Sequence, residues 1–184
     1  MSWIRTVGDA DATGDLKEIY EEVQKRRGKL SNIMRAQSLN PEALRAHLDL
    51  YMATMFGSSG LSRMEREMVA LAVSLANGCP YCIRHHGEAL RHYWNNEQVE
   101  RFIDDPGTVE LSERQRHLVN HARMLTLHPD EVDSDDIERL RMQELTDESI
   151  LALTLIVGYF NFVNRIALGL GVSFTENEAS GYRY

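Results

Sequence analysis

Apolar residues return every three or four positions along most of this chain, and no stretch alternates strictly enough to read as a strand. Leu16, Ile19, Tyr20 and Val23 mark a first helix over 15–27, and a short helix is expected over 32–38. Asn40-Pro41-Glu42 is a sharp helix start, with Asn40 as cap and Pro41 at the first position, where a missing N–H is harmless. Leu44, Leu48, Tyr51, Met52 and Met55 then line one face, the two methionines as core filling. Beyond a Gly57-Ser58-Ser59-Gly60 linker, Ser62 and Glu65 make a capping box at the head of an apolar helix, which Asn77-Gly78 stops. Pro80 opens a helix to Trp94, followed by a short amphipathic one from Asn95 to Asp104. Ser112 caps a helix to Leu127 with Leu118, Ala122 and Leu125 inward, 134–143 is short and polar-faced, and Thr146 opens the last long helix. The class is all-α, with about seven to nine helices. The tail, 174–184, reads as extended or disordered unless a partner subunit holds it.

A length of 184 residues suits a single domain, 1–184. Its two long apolar helices begin alike, at Leu61-Ser62 and Leu145-Thr146, each after helices with inward Leu and Met. That echo suggests two related helical halves, a core over 41–94 and a second over 111–172.

The formal net charge of -8 and the lack of a basic patch argue against a nucleic-acid partner. The run KRRGK at 25–29 sits where a helix end favours cations and reads as a solvated turn. The N-terminus lacks the apolar core of a signal peptide. The apolar run from Leu151 to Gly158 is short for a bilayer, and Asn161, Asn164 and Arg165 interrupt its continuation. A cytoplasmic location with no membrane contact is the expectation.

The chemistry concentrates between Leu61 and Arg91. The only two cysteines stand as Cys79-Pro80-Tyr81-Cys82, with His86 four residues after Cys82 and Glu67 twelve before Cys79. The local rules place Cys79 near a helix N-cap and Cys82 in its first turn, with His86 one turn further on the same face. A free thiol titrates near about 8.5, and a helix N-terminus with a nearby imidazole lowers that by about two units, enough to make thiolate the majority form. Two sulfurs at this spacing also close a disulfide with little backbone movement. In a reducing compartment such a pair is catalytic or metal-binding rather than a permanent staple. Glu67 sits in a helix that is apolar on most sides. Its inward partner would be His86; its outward ones would be Arg63 or Arg66. A zinc site of Cys79, Cys82 and His86, completed by Glu67 or water, is the metal alternative; otherwise no cofactor is called for.

The pattern E-x11-C-x2-C-x3-H resembles the signature of the AhpD-like alkylhydroperoxidase and carboxymuconolactone decarboxylase superfamily. The stretch LANGCPYCIRHHGEAL resembles its uncharacterised peroxidase-related branch. The likeness is clear over about 44–91 and looser over 112–170. It implies an AhpD-like helical bundle, assembled as a homo-oligomer (dimer, trimer or hexamer), and thiol-dependent reduction of hydroperoxides. It implies Cys82 as the cysteine that becomes a sulfenic acid, Cys79 as the more exposed partner that gives a proton and closes the disulfide, and Glu67 and His86 as the proton relay. The implied partners are a hydroperoxide substrate and a dithiol reductant of lipoyl or thioredoxin type. One departure stands out: better-known members carry a histidine where this chain has Tyr81, and tyrosine is a poor base at neutral pH. His85, His117 and His121 read as solvated or packed. The alternatives are a redox sensor or scaffold oligomer with little turnover, and the decarboxylase branch, whose members generally lack the cysteine pair.

Overall fold

The computed structural model describes residues 2–174 together with 178, 181 and 182; among these it contains helices and no strand. The α-helices run α1 Gly14–Arg27, α2 Asn32–Arg35, α3 Pro41–Phe56, α4 Arg63–Ala76, α5 Pro80–Leu90, α6 Asn96–Asp104, α7 Glu113–Leu127, α8 Ser134–Arg141 and α9 Asp147–Gly169. Helix α4 is the axis of the bundle. It is buried along every residue from Glu65 to Ser74 and packs chiefly on α5, α7 and α9. A helix that is covered all round belongs in the middle of a fold, and Met68, Val69, Leu71 and Val73 have no exposed surface.

The starts of the helices follow their side chains. Asn40 accepts from the Ala43 N–H, and Ser62 with Glu65, Asn95 with Gln98, and Ser112 with Gln115 form reciprocal capping boxes. The ends are less regular. The helix opened by Pro80 stops at Leu90 rather than Trp94, because its last turn tightens through His92 to Ala89 and Tyr93 to Leu90 bonds. Trp94 then turns to pack on Phe102, with ring centroids 5.5 Å apart. The segments at 32–38 and 134–143 likewise finish early, at Arg35 and Arg141; Ala36 to Ser38 continue as single turns, and Glu144 takes a positive φ of 60°.

Charges buried with α4 are all answered. Glu65 takes Arg114 at 2.8 Å, and Arg66 donates to the carbonyls of Thr54, Gly57 and Leu61. At the far end Asn77 donates to Asn161 and Asn164, at 3.0 and 3.2 Å, so these two asparagines of α9 bond within the chain. Contrary to the reading of its interrupted apolar run, α9 is long and apolar enough to cross a bilayer by length and composition. Half of that apolar window is buried inside the bundle.

Candidate active site

The dithiol lies where α4 hands over to α5. Gly78 takes a left-handed φ of 60° and breaks the helix, as few residues with a Cβ could. Cys79 follows as the N-cap of α5, with Pro80 at the first position. The Cys79 sulfur accepts the Cys82 N–H at 3.4 Å, and the two sulfurs lie 2.7 Å apart. Both are buried: Cys79 has no exposed surface and Cys82 only 2%. Cys79 is therefore not the more exposed partner that the resemblance implied. Packing of α5 on α4 and α9 covers it, and Cys82 is the one that reaches the adjoining cavity.

The two thiols are driven apart electrostatically. The hydrogen bond from Cys82 lowers Cys79, burial opposes it, and the backbone N–H groups of Cys82 and Tyr81 lower it further. Cys82 is pushed well up by its bond to Cys79, by burial and by the charge on its neighbour. The first thiolate thus forms at Cys79, the sulfur that the start of the helix faces.

Glu67 meets both sets of partners proposed for it. It is 2% exposed, accepts from Arg63 at 2.6 Å through one oxygen, and lies 2.8 Å from His86 Nδ1 through the other. Burial alone would raise its carboxyl, but the His86 hydrogen bond and the charges of His86 and Arg63 outweigh that and hold it below the ordinary range. The edge of the His86 ring rests on Phe160, centroids 4.4 Å apart. Arg66 serves carbonyls instead, away from Glu67.

Tyr81 is buried and hydrogen-bonded. Its hydroxyl is buried, donates to Glu178 at 2.8 Å and accepts the Ile33 N–H at 3.2 Å; burial, then the Glu178 charge, pushes it well above a normal phenol. Glu178, 4% exposed, also accepts from the Asn32 N–H at 2.8 Å and pairs with His85 Nε2 at 2.7 Å. At this residue the tail is held by its own chain; most of 175–184 lies outside the described residues. His85 is packed here rather than solvated, whereas His117 and His121 sit on α7, away from the cavity.

Beside the dithiol lies a cavity of about 90 Å³, walled by Cys82, Glu67, His86, His47, Tyr159 and Phe160, among others. His47 bridges Gln37 at 2.8 Å and the Tyr159 hydroxyl at 2.7 Å, and burial lowers its pKa to about 4, so it is neutral at pH 7. His47 and Tyr159 were missed from the sequence. The available signal was a histidine on the apolar stripe of Leu44, Leu48 and Tyr51, where a polar side chain needs a buried partner. Arg27 and Lys29 also line the cavity, so the basic run at 25–29 is only partly a solvated turn. Among the described residues, no three His, Cys, Asp or Glu side chains converge as a metal-binding group.

Residues 41–98, which hold Glu67, Cys79, Cys82 and His86, match the profile of the carboxymuconolactone decarboxylase family. Over the whole fold the chain is similar to an AhpD-core, peroxidase-related protein of Ralstonia eutropha JMP134: TM-score 0.88, 28% identity, 97% of this chain and 94% of that one. It is equally similar to a peroxidase-related protein of Silicibacter sp. TM1040: TM-score 0.88, 29% identity, covering 99% and 96%. Residues 41–98 thus carry the carboxymuconolactone decarboxylase family profile, and these comparisons support the AhpD and carboxymuconolactone decarboxylase superfamily for the fold as a whole. A further relative is the uncharacterized protein YdfG of Bacillus subtilis (strain 168), 25% identical over 132 residues, 71% of this chain and 88% of that protein. Within this AhpD-like fold the matched segment supplies the dithiol, Glu67 and His86, while Tyr159, Arg27 and Glu178 come from outside it.

Proposed function

We propose that this chain is a thiol-dependent peroxidase that reduces hydroperoxides through Cys82 and Cys79. The observation that carries the reading is the pairing of a hydrogen-bonded dithiol with the buried Glu67–His86 pair on one small cavity. Of the two sulfurs Cys79 loses its proton the more readily, while Cys82 keeps its own. The proton passes across the 2.7 Å sulfur contact, leaving a thiolate on the sulfur that faces the cavity. That thiolate attacks the terminal peroxide oxygen, an S–O bond forms as the O–O bond breaks, and Cys79 protonates the departing alkoxide. The Cys79 thiolate then displaces hydroxide from the Cys82 sulfenic acid, and a proton delivered through His86 completes water. Two thiols and ROOH become one disulfide, ROH and H2O. A dithiol of lipoyl or thioredoxin type resets the site by exchange.

Assembly into homo-oligomers fits the exposed apolar stripe of Leu151, Leu155 and Phe162 on α9. A second reading, a redox sensor with slow turnover, is favoured by one fact: neither sulfur is open to a bulky reductant. Steady-state assay with hydrogen peroxide and dihydrolipoamide separates the two. An enzyme consumes many equivalents of peroxide per chain and loses this in Cys82→Ser. A sensor stops after one equivalent.

A further inference from the structure

Three polar side chains run in line from the turns after α2 to the Cys82 cavity. Gln37 donates its amide Nε2 to the Ile33 carbonyl at 3.0 Å. A carbonyl only accepts, so this bond fixes which way the amide faces; turned round, it would set two oxygens against each other at the same 3.0 Å. Gln37 Oε1 therefore faces His47 Nδ1 at 2.8 Å, and Nδ1 carries the proton between them. His47 is 3% exposed and neutral at pH 7, bonded at its two nitrogens to Gln37 and Tyr159 rather than to a carboxylate. Its Nε2 is then a bare acceptor, and the Tyr159 hydroxyl, 2.7 Å away, is the donor of their bond.

The polarity of this line decides what Tyr159 offers the cavity. Its single proton is committed to His47, so its oxygen has lone pairs to give and no hydrogen. Burial, above all, pushes the hydroxyl well above a normal phenol, which suits an acceptor and not an acid. Tyr159 and Cys82 line the same cavity, and charge on Cys82 adds to that rise, so sulfur and phenol lie within electrostatic reach. The next residue of α9, Phe160, meets Tyr159 at 4.9 Å and the His86 ring at 4.4 Å between centroids, and Tyr159 meets His47 at 5.5 Å. Two consecutive residues of α9 thus join His86 to His47 along the wall. Two other buried oxygen groups of the wall are already engaged: Glu67 accepts from Arg63 and His86, and Tyr81 accepts the Ile33 N–H.

We propose that Tyr159 is a catalytic residue whose oxygen accepts the O–H of the bound hydroperoxide and so turns the terminal oxygen toward Cys82. His47 and Gln37 are positioning residues that hold the phenol proton away from the cavity. The inference rests on the peroxidase reading and names the group that orients its substrate. The chemistry calls for an acceptor at this place. When the Cys82 thiolate attacks, the S–O bond forms and the O–O bond breaks, with the electron pair leaving on the alkoxide. The alkoxide takes its proton from Cys79. The hydrogen on the attacked oxygen stays where it is and becomes the sulfenic acid O–H. Tyr159 thus holds one hydrogen through the whole step, from peroxide to sulfenic acid.

Two measurements test it. In the first, reduced wild type and Tyr159→Phe are treated with hydrogen peroxide and, separately, with methyl methanethiosulfonate, a thiol reagent with no O–H or N–H to donate. Loss of the Cys82 thiol is followed by peptide mass spectrometry, and the ratio of the two rate constants is taken. Thiolate fraction and access to the sulfur enter both rates and cancel, so a merely structural role for Tyr159 leaves the ratio alone. Loss of one hydrogen bond to the peroxide lowers it about tenfold in Tyr159→Phe. An unchanged ratio overturns the proposal. The second measurement needs neither variant nor peroxide: a long-range proton–nitrogen correlation spectrum of the wild type shows which ring nitrogen of His47 is protonated. The proposal requires Nδ1. A proton on Nε2 would make Tyr159 the accepting side of that bond, turn its own proton toward the cavity and overturn the proposal. A wild-type ratio no higher than that of the urea-unfolded chain would remove the peroxidase reading and the role of Tyr159 with it. A raised wild-type ratio that Tyr159→Phe keeps would remove Tyr159 alone.

Discussion

His86 donates its Nδ1 proton to Glu67 across 2.8 Å, tying helix α5 to helix α4 beside the dithiol. The carboxylate is ionised, so Nδ1 must be the protonated nitrogen, and Nε2 is left to exchange protons. Glu67→Gln keeps the volume and removes the charge. Turnover with hydrogen peroxide falls about tenfold to a hundredfold if the pair acts in proton transfer. Glu67→Ala also leaves Arg63 largely buried beside no carboxylate, and chemical denaturation should show a loss of about 3 kcal/mol.

The thiols make opposite predictions. Cys82→Ser swaps the thiol bond to Cys79 for a hydroxyl one and leaves its backbone N–H partners at the helix start, so the remaining thiol titrates below the one that Cys79→Ser leaves. Cys79→Ser leaves Cys82 buried without them, so it titrates above an ordinary cysteine. Thiolate absorbance followed against pH separates the two, and the reverse order would assign the first proton loss to the wrong sulfur.

His47 gives the fold an acid limit of its own. Its pKa is about 4 when folded against about 6.5 when unfolded, so between those values the unfolded chain binds the extra proton. Stability is therefore full above pH 6.5 and falls as pH drops from there toward 4, by about 3 kcal/mol for a shift of this size. Glu67 and Glu178 have the same sign but lower down, because their depressed carboxyls lose stability only as pH falls below about 4.5. Thermal unfolding from pH 7 to 4 should show a slope that His47→Gln flattens.

The helices were legible because their starts are written locally. Ser62 with Glu65 and Ser112 with Gln115 state a boundary within four residues. Cys79, Cys82 and His86 were legible for the same reason, since one helix places all three. Glu67 was readable as to position but not as to partner, because Arg63 on its own helix and His86 on the next both fit, and the fold uses both. The burial of Cys79 was hidden, since an N-cap is open until other helices cover it. Tyr159 and Arg27 reach the cavity, and Glu178 reaches Tyr81 and His85, from other ends of the chain, and nothing near them in sequence says so.

The apolar stripe of Leu151, Leu155 and Phe162 is 59, 47 and 46% exposed. Sedimentation velocity should show an assembly larger than one chain, and Leu155→Glu with Phe162→Glu should shift it to the monomer while the circular dichroism of the helices persists. A wild-type monomer at micromolar concentration would rule that surface out as a self-contact.

The most direct measurement is thiol counting on the reduced protein before and after one equivalent of hydrogen peroxide, followed by peptide mapping. The account predicts that both thiols vanish together, that a Cys79–Cys82 disulfide accounts for them, and that Cys79→Ser instead leaves a trappable sulfenic acid on Cys82. Two thiols that survive the peroxide, or a sulfenic acid that forms on Cys79 in the Cys82→Ser variant at the wild-type rate, would contradict it.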